Sequence, residues 1–388
     1  MAEPLPRATA CAREFRIAAY LHAVAQHLPA ALLAPEAIQT IVALAEQLPG
    51  GTTSFFGFEC PLSAQAASAD FLLCSTRDEG HARILAGSHD TIDLPLALLE
   101  YPAWQRVRAF CRAWESEAPA LLGQIMNIWL EFDVGNHPQA VTCPSVFFGA
   151  HPPLGTNPDN DRSAMLRDAL ALLEPAAIAG ARGATLQRIC AGLPDGAYAF
   201  QIGVMFARQV AAIRVCLRGV EPSSIGALLT KLGWAGARGE LETLVSALAP
   251  LVERLDIDLD VGDAIGPKIG IECYFGTDAQ TALRVRQLGE YLVAQGSCAP
   301  SKVEALVQYN GLTHQDSGPA TWPVHLSALA AAQGPSMASC LIRWVHHVKV
   351  VYEPAKPLLA KAYLAVEHHV FERRRLAAAI DAARKSAH

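Results

Sequence analysis

Residues 255–275 read LDIDLDV (255–261), GDAIGP (262–267) and KIGIECYF (268–275). In both outer segments polar and apolar residues alternate with a period of two, which is typical of β-strands with one buried face. The segment between them contains Gly262, Gly266 and Pro267, residues that favour turns. The stretch therefore predicts an antiparallel hairpin with one apolar and one polar face.

Similar pairs of strand-like segments recur along the chain and alternate with segments that have the apolar spacing of helices. The other predicted hairpins comprise residues 128–134 with 145–149, 198–205 with 213–217, 348–352 with 360–364 and, more faintly, 71–74 with 82–85. Helices are predicted at 37–48, 103–124, 163–193, 223–251 and 279–295. This order predicts an α/β (α+β) protein of repeated helix-plus-antiparallel-β-hairpin units, which form an antiparallel sheet or barrel with helices packed on one face.

A segment rich in proline, glycine, asparagine and aspartate, residues 151–162, is the clearest candidate for a boundary within the chain. It divides an N-terminal helix and hairpin lobe, 1–154, from a C-terminal lobe, 163–388. The same pattern is compatible with one continuous domain.

Composition excludes several classes of function. The 388 residues are 52% hydrophobic and carry a formal net charge of -6, without the basic excess of a nucleic-acid-binding protein. No window resembles a signal peptide or a membrane span, and the ten cysteines are scattered without a C-x-x-C pair. We therefore expect a cytoplasmic protein with reduced thiols that contacts neither membrane nor nucleic acid.

Common catalytic and cofactor motifs are missing from the sequence: it has no phosphate loop, dinucleotide fingerprint, nucleophile elbow or H-E-x-x-H. Asp256, Asp258 and Asp260 superficially resemble a calcium loop, but Pro267 occupies the position of the required glutamate. Neighbouring histidines at 346–347 and 368–369 should point to opposite faces of a strand, so at most one of each pair could meet the other across the hairpin, and no Cys or carboxylate motif lies beside them. We predict no catalytic residue, cofactor or metal from motifs.

The polar strand faces carry the most information about function. Arg214, Cys216 and Arg218 share one face of their strand, and alternate residues from Lys268 to Tyr274 share one face of theirs. In the last hairpin, Lys361 and Tyr363 form a further pair on one face. Such faces are either exposed to solvent or line a groove or barrel lumen around an anionic or peptide ligand. The candidate ligand- or peptide-binding residues are Arg214, Arg218, Lys268, Tyr274, Lys349, Lys361 and Tyr363.

Helix-separated hairpins that contain Lys361-Ala362-Tyr363 and the segment from Lys268 to Tyr274 resemble the aromatic prenyltransferases of the ABBA type. That resemblance implies a ten-stranded antiparallel barrel whose inward Lys, Arg and Tyr side chains hold a prenyl diphosphate. It also implies an acidic residue that engages the aromatic acceptor, for which Glu131 is a candidate.

A second resemblance covers residues 128–369 and rests on the strings WLEFD (129–133), PSVFFG (144–149), QIGVM (201–205), PKIGIEC (267–273) and HVKVVY (347–352). These are similar to the peptide-binding accessory proteins of bacterial ribosomal-peptide pathways of the crocagin type. The implied function, which we take as the first expectation, is non-catalytic binding of a ribosomally made precursor peptide and its presentation to modifying enzymes in natural-product biosynthesis.

The alternative function is an ABBA-type aromatic prenyltransferase that uses a prenyl diphosphate. The two readings differ in geometry: a binder requires an open groove with the basic residues spread out, whereas the enzyme requires them to converge in a lumen. A homodimer is expected from general frequencies.

Overall fold

The computed structural model describes residues 15–63, 68–116, 121, 123–134, 143–152, 159–208, 212–316 and 322–378. The predicted loop around residues 137–138 lies outside the described residues, as do positions 153–158 of the proposed boundary.

Eleven antiparallel strands form a single sheet within this part of the chain. They are β1 (Phe55–Pro61), β2 (Asp70–Thr76), β3 (Ile125–Phe132), β4 (Ser145–Ala150), β5 (Tyr198–Val204), β6 (Ile213–Arg218), β7 (Arg254–Val261), β8 (Ile265–Tyr274), β9 (Gly311–His314), β10 (Met337–Tyr352) and β11 (Leu359–Glu372).

Ten of these strands close into a barrel. Strands β1 to β8 pair in chain order, β8 pairs with β10, β10 with β11, and β11 returns to β1. The closing register places Phe58 opposite Leu364, and the seam between β8 and β10 places Glu272 opposite Lys349. The short β9 pairs with the first part of β10 only. Closure removes the free edges that an open sheet of this size would expose.

Helices surround the outside of the barrel. They are α1 (Ile17–Val24), α2 (Pro35–Ala45), α3 (His81–Ala86), α4 (Leu96–Leu99), α5 (Pro102–Glu115), α6 (Asp159–Leu173), α7 (Gly180–Gly192), α8 (Ile225–Leu232), α9 (Arg238–Leu248), α10 (Thr281–Ala294), α11 (Pro300–Tyr309) and α12 (Val324–Ala332).

The hydrophobic core lies between the helices and the outer face of the barrel. On α5, the Trp104 ring lies 6.2 Å from that of Phe132 on β3, and the Phe110 ring lies 5.8 Å from that of Phe148 on β4. All four side chains are fully buried. Because the apolar side of each strand faces outward against helices, its polar side must face the interior of the barrel. The predicted fold class is confirmed.

The first hairpin was assigned wrongly. Residues 82–85 belong to helix α3, which left-handed Gly80 and Gly87 delimit, and the partner of β2 is instead β1. Strand β1 was not predicted, because Phe55-Phe56-Gly57-Phe58 places aromatic residues on both faces of the strand. The sequence therefore lacks the alternation of polar and apolar residues that marks the other strands.

Two predicted helices are each divided into two. The segment 163–193 is interrupted at Glu174, where the backbone leaves the helical region just before Pro175. The segment 223–251 is interrupted at Gly233, whose φ of 94° ends α8 in a left-handed cap. Apolar spacing continues across both breaks, which explains why each pair was read as one helix.

No helix in the described ranges combines the length and the apolar character that crossing a bilayer requires. The two-lobe division, the cytoplasmic location and the homodimer stay predictions.

Candidate functional site in the barrel lumen

All seven candidate residues line cavities inside the barrel. Arg214, Lys349 and Tyr363 border two cavities, which we call the wide chamber and the cationic chamber. Arg218 and Tyr274 face the wide chamber, and the remaining two face the cationic one. The polar strand faces therefore line a lumen and are not a solvated outer surface.

The wide chamber has a volume of about 650 Å³, large enough for a drug-sized organic molecule. Its aromatic lining includes Phe55, Trp129, Phe147, Phe200, Tyr274, Trp344 and Tyr363. Phe55 links two walls, because its ring lies 4.9 Å from Trp129 in an edge-on contact and 5.5 Å from Trp344 in a stacked one. The chamber offers flat apolar faces to a ligand.

The cationic chamber is smaller, with a volume of about 160 Å³. Five cationic side chains line it: Arg208, Arg214, Lys268, Lys349 and Lys361. Arg208 was not predicted, because it follows β5 in a short helical turn where no strand alternation marks it. This concentration of positive charge around a small volume suits an anion.

Carboxylates pair with these cations. Asp133 accepts two hydrogen bonds from Arg208, at 2.6 and 2.8 Å. Glu59 contacts both the Lys361 ammonium and the Tyr363 hydroxyl. Burial opposes ionisation of Glu59, but Lys361 outweighs burial and holds the pKa of Glu59 well below its usual value.

The three aspartates of β7 supply most of the remaining partners. Asp256 lies 2.9 Å from Arg218, and Asp260 lies 2.8 Å from Arg214 and 2.9 Å from Lys268. The Lys349 ammonium contacts Asp258. The strand reading of this segment is confirmed, and its aspartates face the lumen.

Glu131 on β3 is an ionisable group of the wide chamber. Burial, with Glu59 adding negative charge nearby, raises the pKa of Glu131 to about 7. A carboxyl group with such a pKa exchanges a proton readily at neutral pH, as a general acid or base requires.

Both histidines of the 346–347 pair line the wide chamber, so the expectation that they face opposite sides is wrong. An irregularity in the register of β10 with β11 between Val345 and His347 breaks the alternation. The two Nδ1 atoms lie 2.7 Å apart, so one donates to the other. Burial lowers the pKa of each histidine to about 3, so both are neutral near pH 7.

His347 is also the middle ring of a stack. Its ring lies 4.1 Å from Tyr363 and 4.9 Å from Tyr274, nearly parallel to both. The Tyr274 hydroxyl donates to Glu272 at 2.7 Å. These contacts fix both predicted tyrosines in place.

A possible set of metal ligands occurs at the same level of the lumen. One ligand atom each from Cys216, Asp258 and Glu272 lies within 4.8 Å of the others. Lys349, which contacts Asp258 and lies 3.9 Å from Glu272, already places a positive charge beside them.

Comparison with known proteins finds no matching family model and no matching curated protein. Among solved structures, the chain is similar to 5-dimethylallyltryptophan synthase from Streptomyces coelicolor, with 14% identity, a TM-score of 0.46 and coverage of 89% of this chain and 95% of that one. It is also similar to the prenyltransferase PriB without ligand, with 11% identity, a TM-score of 0.49 and coverage of 89% and 94%. At these identities and scores the comparison does not determine what this chain binds.

The expectation of a non-catalytic peptide binder is wrong. That function required an open groove with dispersed basic residues, whereas the described strands close into a barrel and the basic residues converge inside it.

Proposed function

We propose that the lumen transfers a prenyl group from a prenyl diphosphate to an aromatic acceptor. The observation that carries this proposal is the junction of two chambers of different chemistry. A small cationic chamber adjoins a wide aromatic one, and Arg214, Lys349 and Tyr363 border both.

The cationic chamber suits the diphosphate. Arginine and lysine side chains that are already in place stabilise negative charge as it develops on a leaving group. Tyr363, whose hydroxyl contacts Glu59, offers a further hydrogen-bond donor at the junction. The allylic carbon of the donor would then lie where the two chambers meet.

The wide chamber suits the prenyl chain and the acceptor. When the carbon–oxygen bond breaks, the diphosphate leaves with the electron pair and the allylic carbon becomes cationic. An aromatic face such as that of Trp129 attracts a cation. The acceptor ring then forms the new bond to that carbon and loses a proton, which Glu131 accepts in its ionised form.

The test is to incubate the purified protein with dimethylallyl or geranyl diphosphate and with tryptophan, indole or a phenol. Mass spectrometry should detect an acceptor that has gained one prenyl group in place of one hydrogen, together with released diphosphate. Failure to form product from any pair, with no binding of diphosphate, would contradict the proposal.

Lys268→Ala should lower the rate about 100-fold or more, because a cation that stabilises the leaving group is lost. Its partner Asp260 keeps the ion pair with Arg214, so the fold should survive. The matched control is Lys356→Ala, a largely exposed lysine that pairs only locally with Glu353. Equal rates for the two variants would show that Lys268 does not contribute to the reaction.

A further inference from the structure

The cations of the cationic chamber are already paired within the protein. Arg208 pairs with Asp133, Lys361 with Glu59 and Lys349 with Asp258, while Arg214 and Lys268 share Asp260. Four carboxylates thus contact five cationic side chains. An anion that enters must compete with these carboxylates for the same N–H groups.

Strand β7 supplies two of the four carboxylates. Asp258 and Asp260 lie two residues apart and point to the same face of the strand, into the chamber. Burial opposes ionisation of Asp260, but Arg214 and Lys268 outweigh burial and lower its pKa. Asp260 therefore carries a full negative charge at neutral pH.

The surroundings of Asp258 indicate that its carboxylate is stabilised mainly by the positive charge of a neighbouring lysine and not by hydrogen bonds. Its side chain is buried, yet neither carboxylate oxygen has a hydrogen-bond partner of normal geometry among the described residues. Only the contact of Oδ2 with the Lys349 ammonium compensates this carboxylate there. Gly270 faces the pair and leaves room for both chains, since a Cβ atom there would lie 2.7 Å from Lys349 Cε.

We propose that Asp258 and Asp260 act as internal counter-ions of the chamber. A multiply charged anion binds by displacing them, and they re-pair with the cations as it leaves. They weaken the affinity for diphosphate and speed its release. This inference rests on the proposed function, because it concerns the same chamber.

The test measures binding of inorganic pyrophosphate by calorimetry, at low ionic strength and without divalent cations. Asp258→Asn and Asp260→Asn keep the shape of the side chain and remove its charge. Each should tighten binding about tenfold or more, because unit charges a few ångströms apart in a partly buried site interact strongly. Stopped-flow displacement should show slower dissociation.

The control is Asp263→Asn, which makes the same change in net charge at an exposed position in the turn after β7. Its affinity for pyrophosphate should equal that of the unchanged protein. Tightening of the same size in this control would assign the effect to net charge and overturn the inference.

Other outcomes separate the two proposals. If the unchanged protein binds pyrophosphate and both folded variants bind it equally or more weakly, the counter-ion inference fails and the proposed function stands. If neither the unchanged protein nor any variant binds, the chamber is not an anion site and both fail. Should Asp258→Asn not fold, Asp260→Asn alone decides: Lys268 is 41% exposed and can be solvated, and the amide oxygen of the asparagine can still accept from Arg214, which donates to Asp260 Oδ1.

Discussion

Glu131 shows how a single buried side chain can acquire a chemical role from its surroundings. It is the candidate that the prenyltransferase resemblance suggested, and burial raises its pKa to about 7. The neighbouring His346 and His347 titrate far lower, near pH 3, so they contribute no change of charge in the neutral range. Burial also lowers the pKa of Lys349 to about 7, so a pH dependence near neutrality can come from Glu131 or Lys349, and the Glu131→Gln variant separates the two.

If Glu131 accepts the proton of the acceptor ring, it must be ionised to act. Because its pKa is raised, it is protonated below about pH 7, and kcat/KM should rise with pH through that value. Glu131→Gln should lose this rise and lower the rate roughly 10²- to 10⁴-fold. Glu46→Gln, at an exposed position after α2, serves as the control. A rise that persists in Glu131→Gln would assign the proton to another group.

Sequence reasoning succeeded for the site where strand alternation was regular. On β6 and β8, period-two alternation placed Arg214, Arg218, Lys268 and Tyr274 on one face, and the structure places all four in the lumen. The sequence could not distinguish a lumen from a solvated face, because that depends on closure of β11 onto β1, about 300 residues apart in the chain.

Elements with irregular patterns were predicted less well. Strand β1 has aromatic residues on both faces, so Glu59, a partner of Lys361 in the lumen, was missed along with it. Strands β10 and β11 extend well beyond the predicted segments 348–352 and 360–364. Within β10 the irregularity after Val345 shifts the alternation of inward and outward side chains. The residue types at this position do not predict such a shift.

The meeting of β7, β8 and β10 gives a prediction about stability. A Cβ atom at Gly270 would lie 2.7 Å from Lys349 Cε and 2.9 Å from Asp258 Cβ. Gly270→Ala should therefore lower the free energy of unfolding by about 1–3 kcal/mol through overpacking. Urea denaturation measures the change.

The matched substitution is Gly239→Ala in α9, where a Cβ atom meets nothing within 4 Å. Because alanine favours helix over glycine, this variant should be unchanged or up to about 1 kcal/mol more stable. Equal free energies of unfolding for the two variants would mean that β8 and β10 adjust freely around position 270.

At the scale of the whole molecule, the barrel joins the two proposed lobes at two seams. Strand β4 pairs with β5, and β11 pairs with β1. Because each lobe alone would expose unpaired strand edges at both seams, we expect the chain to unfold as one unit. Differential scanning calorimetry should give one transition, with a calorimetric enthalpy equal to the van't Hoff enthalpy. Two separate transitions would instead support independent domains at 1–154 and 163–388.

The placement of the apolar core outside the barrel has a consequence for evolution. Strand side chains that hold the fold together, such as Phe132 and Phe148, alternate with those that line the chambers, such as Glu131 and Phe147, and point the opposite way. Substitutions in the lumen can therefore alter the chemistry of the ligand site while the packing of helices on strands stays intact. Such a scaffold can diversify the ligands of its lumen over many generations while the outer core of helices on strands is kept.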